Sequence, residues 1–276
     1  MNSKRKIYIL NWAFSYGSAS SNRLLAYANS AVEYGYKVEI IALLRLELKN
    51  YQPRKEIIIR GLSPCRLESK FLSKILSFFT TIWFLLTVVK KEDRLLLYGS
   101  AEYLPFLVWF RRRQTFFEVT ECPDLFRPKT YPWKYYKRLW RRLNGIFVIS
   151  SNLKQYFVDY GVNPQRVHVI NMIVDPKRFD GVMRNANVEK YVAYCGNVNK
   201  DSKDGVGDLI VSFVRYHEKF GDRKLYIIGP IVSKEQKAEY EEYLKLSNAL
   251  DYVIFTDSVS PSTIPQYFVD AEMLVL

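Results

Sequence analysis

Residues 7–43 read IYILNWAFSYGSASSNRLLAYANSAVEYGYKVEIIAL and decide the fold class. The segment Ile7–Leu10 is a short apolar run typical of a buried strand, and a Gly/Ser loop at 15–21 follows it. Apolar residues then recur at helical spacing, and Gly35 stands where a helix commonly stops. A second apolar run, Val38–Leu43, completes a strand–loop–helix–strand unit. This pattern predicts the start of a parallel sheet with right-handed crossovers.

The same alternation of apolar strands and helical stripes continues along the chain. A polar stretch at 175–189 interrupts it, and the alternation restarts at Tyr191–Cys195. We therefore predict an α/β chain with two Rossmann-like domains, residues 1–180 and residues 181–276. Further strands are expected at Leu95–Tyr98, Thr115–Val119, Gly145–Ile149, Val167–Ile170, Leu225–Ile228, Tyr252–Phe255 and Met273–Leu276.

The charge of the 276-residue chain is unevenly distributed. The net charge of +13 divides into +16 for residues 1–170 and −3 for residues 171–276. An excess of this size indicates anionic partners, such as nucleic acid, anionic lipid or a phosphorylated substrate. Three widely spaced cysteines and only two histidines exclude a disulfide framework, a cysteine zinc site and a His-rich metal centre.

No membrane span and no signal peptide are predicted. The longest uncharged run, Ile75–Val89, has fifteen residues and falls short of the roughly 20 that a span needs. It predicts a buried or surface-lying helix, with a true membrane span as the less favoured alternative. The N-terminal apolar run ends at Asn11 without a small-residue cleavage site, so we expect a cytoplasmic protein.

Three stretches, taken in order and spacing, resemble a known family. The first is GIFVISS at 145–151, followed by YGV at 160–162 and the run that ends at Asp175. The second is YCGN at 194–197 with KDG at 203–205, and the third is LYIIG at 225–229 with the strand that ends the chain. Together they resemble the GT-B glycosyltransferases, in particular the retaining family-4 group.

The resemblance implies a function in the synthesis of cell-surface glycans. Such an enzyme moves a sugar from a nucleotide-sugar to a hydroxyl of a lipid-linked or polysaccharide acceptor, with retention and without a metal or other cofactor. The absence of an Asp-x-Asp motif agrees with metal independence. By the same resemblance, residues 1–180 face the acceptor and the membrane, and residues 181–276 bind the nucleotide-sugar.

The sequence also departs from the family pattern. Met172 stands where the family has Gly, Asn197 stands where it has Arg, and no His follows the strand at 115–119. The sequence ends at Leu276, before the Gly-rich turn and the two donor-gripping glutamates that the family places beyond this point. We therefore expect a truncated second domain. The alternative is a non-catalytic GT-B-like binding or partner protein, or an inactive truncated product.

Candidate donor-binding residues lie in the Gly-bearing loops that follow strands. Backbone N–H groups in such loops can approach a diphosphate, and a fixed ammonium stabilises the charge that builds on the leaving group. A plain turn glycine or a solvated loop lysine is the simpler interpretation of each. The candidates are Gly17, Gly196, Asn197, Lys200, Lys203 and Gly229.

Glu118 and Glu121 are the candidate catalytic residues. They flank Thr120 near the end of a predicted strand, where a carboxylate could orient an acceptor hydroxyl or stabilise positive charge on the sugar ring. The simpler interpretation is that these carboxylates pair with nearby basic side chains.

Two basic runs form a candidate surface for an anionic partner. Aromatic rings alternate with the basic residues of the second run. This combination suits the headgroup region of an anionic membrane, and we expect the contact on the inner face of the cell membrane. Nucleic acid is disfavoured as a partner, and a solvated basic face is the simpler alternative. The residues are Arg111, Arg112, Arg113, Lys137, Arg138, Arg141 and Arg142.

Overall fold

The structure of the protein is a computed structural model. The residues it describes are 6–48, 51–62, 70–99, 114–126, 133–172, 176–198, 205–231 and 233–275. They form two compact units, Met1–Val174 and Asp175–Leu276. Each unit combines helices with a parallel β-sheet, so the α/β prediction is confirmed.

The first unit contains a sheet of seven strands among the described residues. These are β1 (Lys6–Ser15), β2 (Lys37–Glu47), β3 (Ile57–Gly61), β4 (Arg94–Tyr98), β5 (Gln114–Val119), β6 (Gly145–Val148) and β7 (Val167–Val169). Its helices are α1 (Ala19–Glu33), α2 (Lys70–Thr87), α3 (Pro123–Phe126), α4 (Trp133–Trp140) and α5 (Ser151–Asp159), with a 3₁₀ turn at Pro164–Arg166.

The strands of this sheet are all parallel, in the order β3-β2-β1-β4-β5-β6-β7. Apolar side chains of α1 pack on one face, and those of α2, α4 and α5 pack in a single core cluster on the other face. Because the strands are parallel, their carboxyl ends meet at one edge, where ligands bind in folds of this class.

Strands β1, β2 and β3 differ most from the sequence prediction. β1 continues five residues beyond Leu10, because its partner β2 also continues and the ladder reaches the pair Ser15 and Glu47. β3 was not predicted, since its three isoleucines lie between charged residues and only Ile57 is buried at this sheet edge.

The second unit contains a parallel sheet of four strands in the order β10-β9-β8-β11. The strands are β8 (Tyr191–Cys195), β9 (Lys224–Ile228), β10 (Val253–Asp257) and β11 (Met273–Val275). The helices are α6 (Val206–Phe220), α7 (Lys234–Leu246) and α8 (Ile264–Asp270), with a 3₁₀ turn at Pro176–Phe179. Helices α6 and α7 pack on one face, and Tyr267 of α8 packs with residues of the other face.

The uncharged run at 75–89 forms most of α2, which lies on the surface of the first unit. Across the part of the chain that the structure describes, no helix has the length and apolarity needed to cross a membrane.

Candidate active site

A buried ion pair lies within the first unit. Glu118 in β5 and Arg23 in the first turns of α1 are nearly inaccessible, with 1% and 2% of their surfaces exposed. The Arg23 Nε donates to Glu118 Oε1 at 2.6 Å, and the Tyr27 hydroxyl donates to Glu118 Oε2 at 2.8 Å. Both carboxylate oxygens of Glu118 are thus occupied by protein donors.

The guanidinium of Arg23 also fixes the chain that leaves β7. Its Nη1 donates to the carbonyl of Asn171 at 2.8 Å, and its Nη2 donates to the carbonyl of Ile170 at 2.6 Å. The planar fork of an arginine suits such a multiple contact. Arg23 therefore ties α1, β5 and the segment after β7 together.

Burial dominates the proton affinities in this network. It raises the pKa of Glu118 above its usual range, and the Arg23 guanidinium and the Tyr27 hydroxyl oppose the rise. Burial, together with the Glu118 carboxylate, also raises the pKa of Tyr27. Glu118 does not have the solvent access that the proposed catalytic role would need, and its contacts are those of a residue that positions the backbone.

Glu121 has a different environment from Glu118. It lies two residues after the end of β5 and is exposed. The Tyr98 hydroxyl, at the end of β4, is hydrogen-bonded to the Thr120 side chain. Burial raises the pKa of Tyr98, the Thr120 hydrogen bond opposes the rise, and the Glu121 charge adds to it. A phenol, a hydroxyl and an exposed carboxylate therefore meet at the carboxyl edge of this sheet.

Gly17 lies in the turn between β1 and α1, with a φ of +90° that favours glycine. The next residue, Ser18, caps α1 by accepting from the amide of Ser21, and the Ser21 hydroxyl accepts from the amide of Ser15 at 3.0 Å. The turn that carries Gly17 is thus held by its own serines at the same edge of the sheet.

Gly196 and Gly229 pack against each other at the carboxyl edge of the second sheet. Gly229 has a φ of +137°, and a Cβ there would overlap the Gly196 carbonyl oxygen. A Cβ on Gly196 would lie 2.5 Å from the Tyr194 hydroxyl. Main-chain bonds complete the contact, because Gly196 donates to Ile228 at 3.0 Å and Gly229 donates to Asp257 at 3.1 Å. Glycine at both positions lets the ends of three strands meet.

The loop that follows β8 leads to the N-terminus of α6. Asn197 in this loop is exposed, and Val198 is fully buried. Lys200 and Lys203 lie outside the described residues. Helix α6 begins after Gly205, which adopts a left-handed conformation and provides no side-chain cap, in contrast to the Ser233 cap of α7. Within the part of the chain that the structure describes, the N-cap residue Gly205 therefore leaves the first amides of α6 without a side-chain cap of their own.

The basic residues of the second run are placed on and after α4. Lys137 Nζ lies 3.5 Å from the centre of the Tyr160 ring, and Arg141 Nε donates to the Tyr160 carbonyl at 2.9 Å. These two residues therefore hold the end of α5, while Arg138 and Arg142 are exposed. Arg111, Arg112 and Arg113 lie outside the described residues.

The sequence model of Glycosyltransferase Family 4 matches residues 21–178, which is more than half of the chain. The chain belongs to glycosyltransferase family 4. It is therefore a glycosyltransferase, as the sequence motifs predicted. No curated protein sequence gives a significant match.

Solved structures show the fold of this family-4 chain to be GT-B. WaaG, a glycosyltransferase involved in lipopolysaccharide biosynthesis, has a TM-score of 0.69 at 11% identity, over 97% of this chain and 74% of its own. HepE from Anabaena, in complex with UDP and glucose, has a TM-score of 0.70 at 14% identity over 98% and 73%. Sucrose-phosphate synthase from Thermosynechococcus elongatus has a TM-score of 0.70 at 12% identity over 98% and 75%.

Sequence reasoning missed Arg23 and Tyr27 of the family-4 chain. They are four residues apart on α1, so they share a helix face, and that spacing beside the apolar stripe is the only signal the sequence offers. Among the described residues, no group of three or more His, Cys, Asp or Glu side chains is placed to hold a metal ion.

Proposed function

We propose that this glycosyltransferase transfers a sugar from a nucleotide-sugar donor to a hydroxyl of a lipid-linked or polysaccharide acceptor, in the synthesis of cell-surface glycans. The second unit binds the donor, and the first unit binds the acceptor on the inner face of the cell membrane. The observation that carries the proposal is the carboxyl edge of the second sheet. There, Gly196 and Gly229 bring three strand ends together, and the next helix along the chain, α6, begins after Gly205, which has no side chain to cap it.

That edge suits a diphosphate for physical reasons. Amides at a helix N-terminus point at a bound anion, and the helix dipole favours negative charge there. Gly196 and Gly229 keep side chains away from the backbone, and the exposed Asn197 supplies an amide donor next to them. Lys200 and Lys203 lie between β8 and α6 in the sequence, and we assign their ammonium groups the role of balancing the charge of the leaving nucleoside diphosphate.

The first unit supplies the acceptor-facing groups. Glu121 is the exposed carboxylate at its sheet edge, and we assign it the role of orienting the acceptor hydroxyl or stabilising positive charge on the sugar. Gly17 lies on the same edge, where its turn lets a substrate approach the backbone. Glu118 acts indirectly, by holding Arg23 and through it the carbonyls of Ile170 and Asn171.

The test is donor hydrolysis and transfer with UDP-glucose as the first donor, since HepE was crystallised with that nucleotide-sugar. Replacing Lys203 by alanine should lower kcat about 100-fold, the usual loss when one group that stabilises developing charge is removed. Lys245→Ala is the matched control, because Lys245 is an exposed lysine in the last turn of α7. Equal turnover by the Lys203→Ala variant and the wild type would refute the role of Lys203.

The same assay separates catalysis from the alternative function. A non-catalytic binding protein would bind the donor without turning it over, so calorimetry with the donor accompanies the kinetics. The proposal further expects the product to keep the anomeric configuration of the donor, which proton NMR of the product reads directly. It also expects turnover to continue in the presence of a chelator.

A further inference from the structure

Helix α2 presents an apolar stripe to solvent, in addition to its buried face. The exposed fractions are 63% for both Phe79 and Trp83, and three aliphatic residues continue the line. At 100° per residue the five positions fall within an arc of about 80°, along about 21 Å of helix. We call this set the outer stripe: Leu72, Ile75, Phe79, Trp83 and Leu86.

The opposite face of α2 anchors the helix to the sheet. Ser77 and Thr81 are completely buried there, and Phe84 and Leu85 join the core cluster. The Ser77 hydroxyl donates to the carbonyl of Leu43 in β2 at 2.7 Å. This fixed inner face prevents α2 from rotating to bury the outer stripe. A surface helix normally turns polar residues to water, so an apolar outer face indicates a surface for contact.

The charged residues from the start of α2 to Lys91 are all positive, and Glu92 follows them in the sequence. The sequence from residue 70 to residue 91 contains four lysines and no acidic residue. Lys74 near the start of α2, and Lys90 and Lys91 just after its end, are exposed. Helix α4 packs in the same core cluster as α2, on the same face of the sheet, and its Arg138 is exposed as well.

We propose that the outer stripe of α2 inserts into the surface of an anionic bilayer, with the helix lying in the plane of the membrane. Tryptophan and phenylalanine between lysines suit the boundary between headgroups and acyl chains. The lysines meet anionic headgroups. A self-complementary contact between two copies would instead bring the same lysines, on a half-chain of +16, against each other.

This inference rests on one part of the proposed function, namely that the acceptor is linked to a lipid. The sequence pointed to the two basic runs, with the apolar run at 75–89 in the same half as a feature that favours lipid. The inference deepens this expected membrane contact by assigning it to the outer stripe of α2. The basic residues attract the bilayer over a distance, and the outer stripe provides the hydrophobic part of the binding. Lys137 and Arg141, which contact Tyr160, contribute less than expected from the sequence.

Vesicle sedimentation of the full chain tests the proposal. The double variant Phe79→Ser/Trp83→Ser should lose about tenfold or more of its partition into vesicles of equimolar phosphatidylglycerol and phosphatidylcholine. The matched control is Phe220→Ser/Leu246→Ser, which removes two exposed apolar side chains from the second unit. It should bind as the wild type does. Partition of the Phe79/Trp83 variant at the wild-type level overturns the proposal, and so does equal wild-type recovery with pure phosphatidylcholine.

A second variant reports insertion without weakening it. Trp83→Phe keeps an aromatic ring in the outer stripe, so vesicle partition should stay within about twofold of the wild type. The blue shift of tryptophan emission on binding should decrease, because Trp83 is the residue that enters the bilayer. A full blue shift in the Trp83→Phe variant contradicts insertion at this position.

Two further measurements exclude other occupants and separate the two proposals. If light scattering finds a wild-type dimer that the Phe79/Trp83 variant converts to a monomer, the stripe contacts a second copy and the lipid proposal is wrong. Donor hydrolysis without vesicles should be equal in the wild type and in this variant. Absence of hydrolysis in both would refute the proposed function and leave the vesicle result intact.

Discussion

At the scale of single residues, Arg23 shows how one side chain holds distant parts of the first unit together. It pairs with the buried Glu118 in β5, and it also donates to two partly buried carbonyls after β7. Arg23→Met leaves the Glu118 carboxylate buried without its cation, so we expect a loss of about 3–5 kcal/mol in the free energy of unfolding. Urea denaturation followed by circular dichroism measures this loss.

Two variants control the Arg23 prediction. The double variant Arg23→Met/Glu118→Leu should recover much of the loss, because it removes both charges together. Arg45→Met breaks the pair with Glu47, in which the Arg45 side chain is 66% exposed, and should cost less than about 1 kcal/mol. Similar losses for Arg23→Met and Arg45→Met would contradict the role assigned to the buried pair.

We propose that the chemistry of the first unit depends on Glu121. Glu121→Gln keeps the shape of the side chain and removes the negative charge, so kcat should fall about 100-fold while donor affinity is unchanged. Glu92→Gln is the control, since Glu92 is an exposed carboxylate just before β4, at the other end of the strands. An unchanged kcat in the Glu121→Gln variant would remove this residue from the proposed mechanism.

Alanine substitutions at Gly229 and Gly181 distinguish two destabilising effects of an added methyl group, the strain of a positive φ and steric overlap with a neighbour. Both have a positive φ, but a Cβ on Gly181 meets nothing within 4 Å, whereas one on Gly229 would overlap the Gly196 carbonyl. We expect Gly181→Ala to cost about 1 kcal/mol and Gly229→Ala about 3 kcal/mol, with loss of donor binding only in the latter. Thermal unfolding and donor titration distinguish them, and equal effects would show that the overlap is relieved by a small shift.

At the scale of elements, the apolar runs explain which parts of the fold the sequence could predict. Buried parallel strands such as β8 are continuous apolar runs, and the predicted range Tyr191–Cys195 matches the strand in the structure. β3 was not predicted, because an edge strand buries only part of its surface and therefore lacks a long apolar run. Helix α2 was predicted as a helix, but which side faces water could not be decided, because both of its faces are apolar.

The candidate site also combines features that are local in the sequence, which could be predicted, with contacts between residues far apart in the sequence, which could not. Gly-bearing loops after strands are local patterns, and they led to Gly17, Gly196 and Gly229. The contact between Arg23 and Glu118 joins residues 95 positions apart. No spacing rule links them, since the pair forms only when α1 and β5 pack on the finished sheet.

At the scale of the whole molecule, the unequal charge of the two halves predicts two different responses to salt. Residues 1–170 carry +16 and residues 171–276 carry −3. Long-range attraction between the basic half and anionic vesicles is screened within a Debye length, so vesicle partition should decrease steeply as salt is added. The phosphates of a bound donor contact their partners at short range, so donor hydrolysis without vesicles should decrease far less.

Both quantities can be measured on one preparation over the same salt series. The outer stripe adds a further expectation, because insertion of Phe79 and Trp83 does not depend on charge. Partition of the wild type should therefore level off at high salt, whereas partition of the Phe79→Ser/Trp83→Ser variant should continue toward zero. If partition of the wild type and of the variant keeps a constant ratio across the salt series, binding to the bilayer is electrostatic only and α2 does not insert. If hydrolysis and partition decline in parallel, the division of labour between a membrane-binding half and a donor-binding half is wrong.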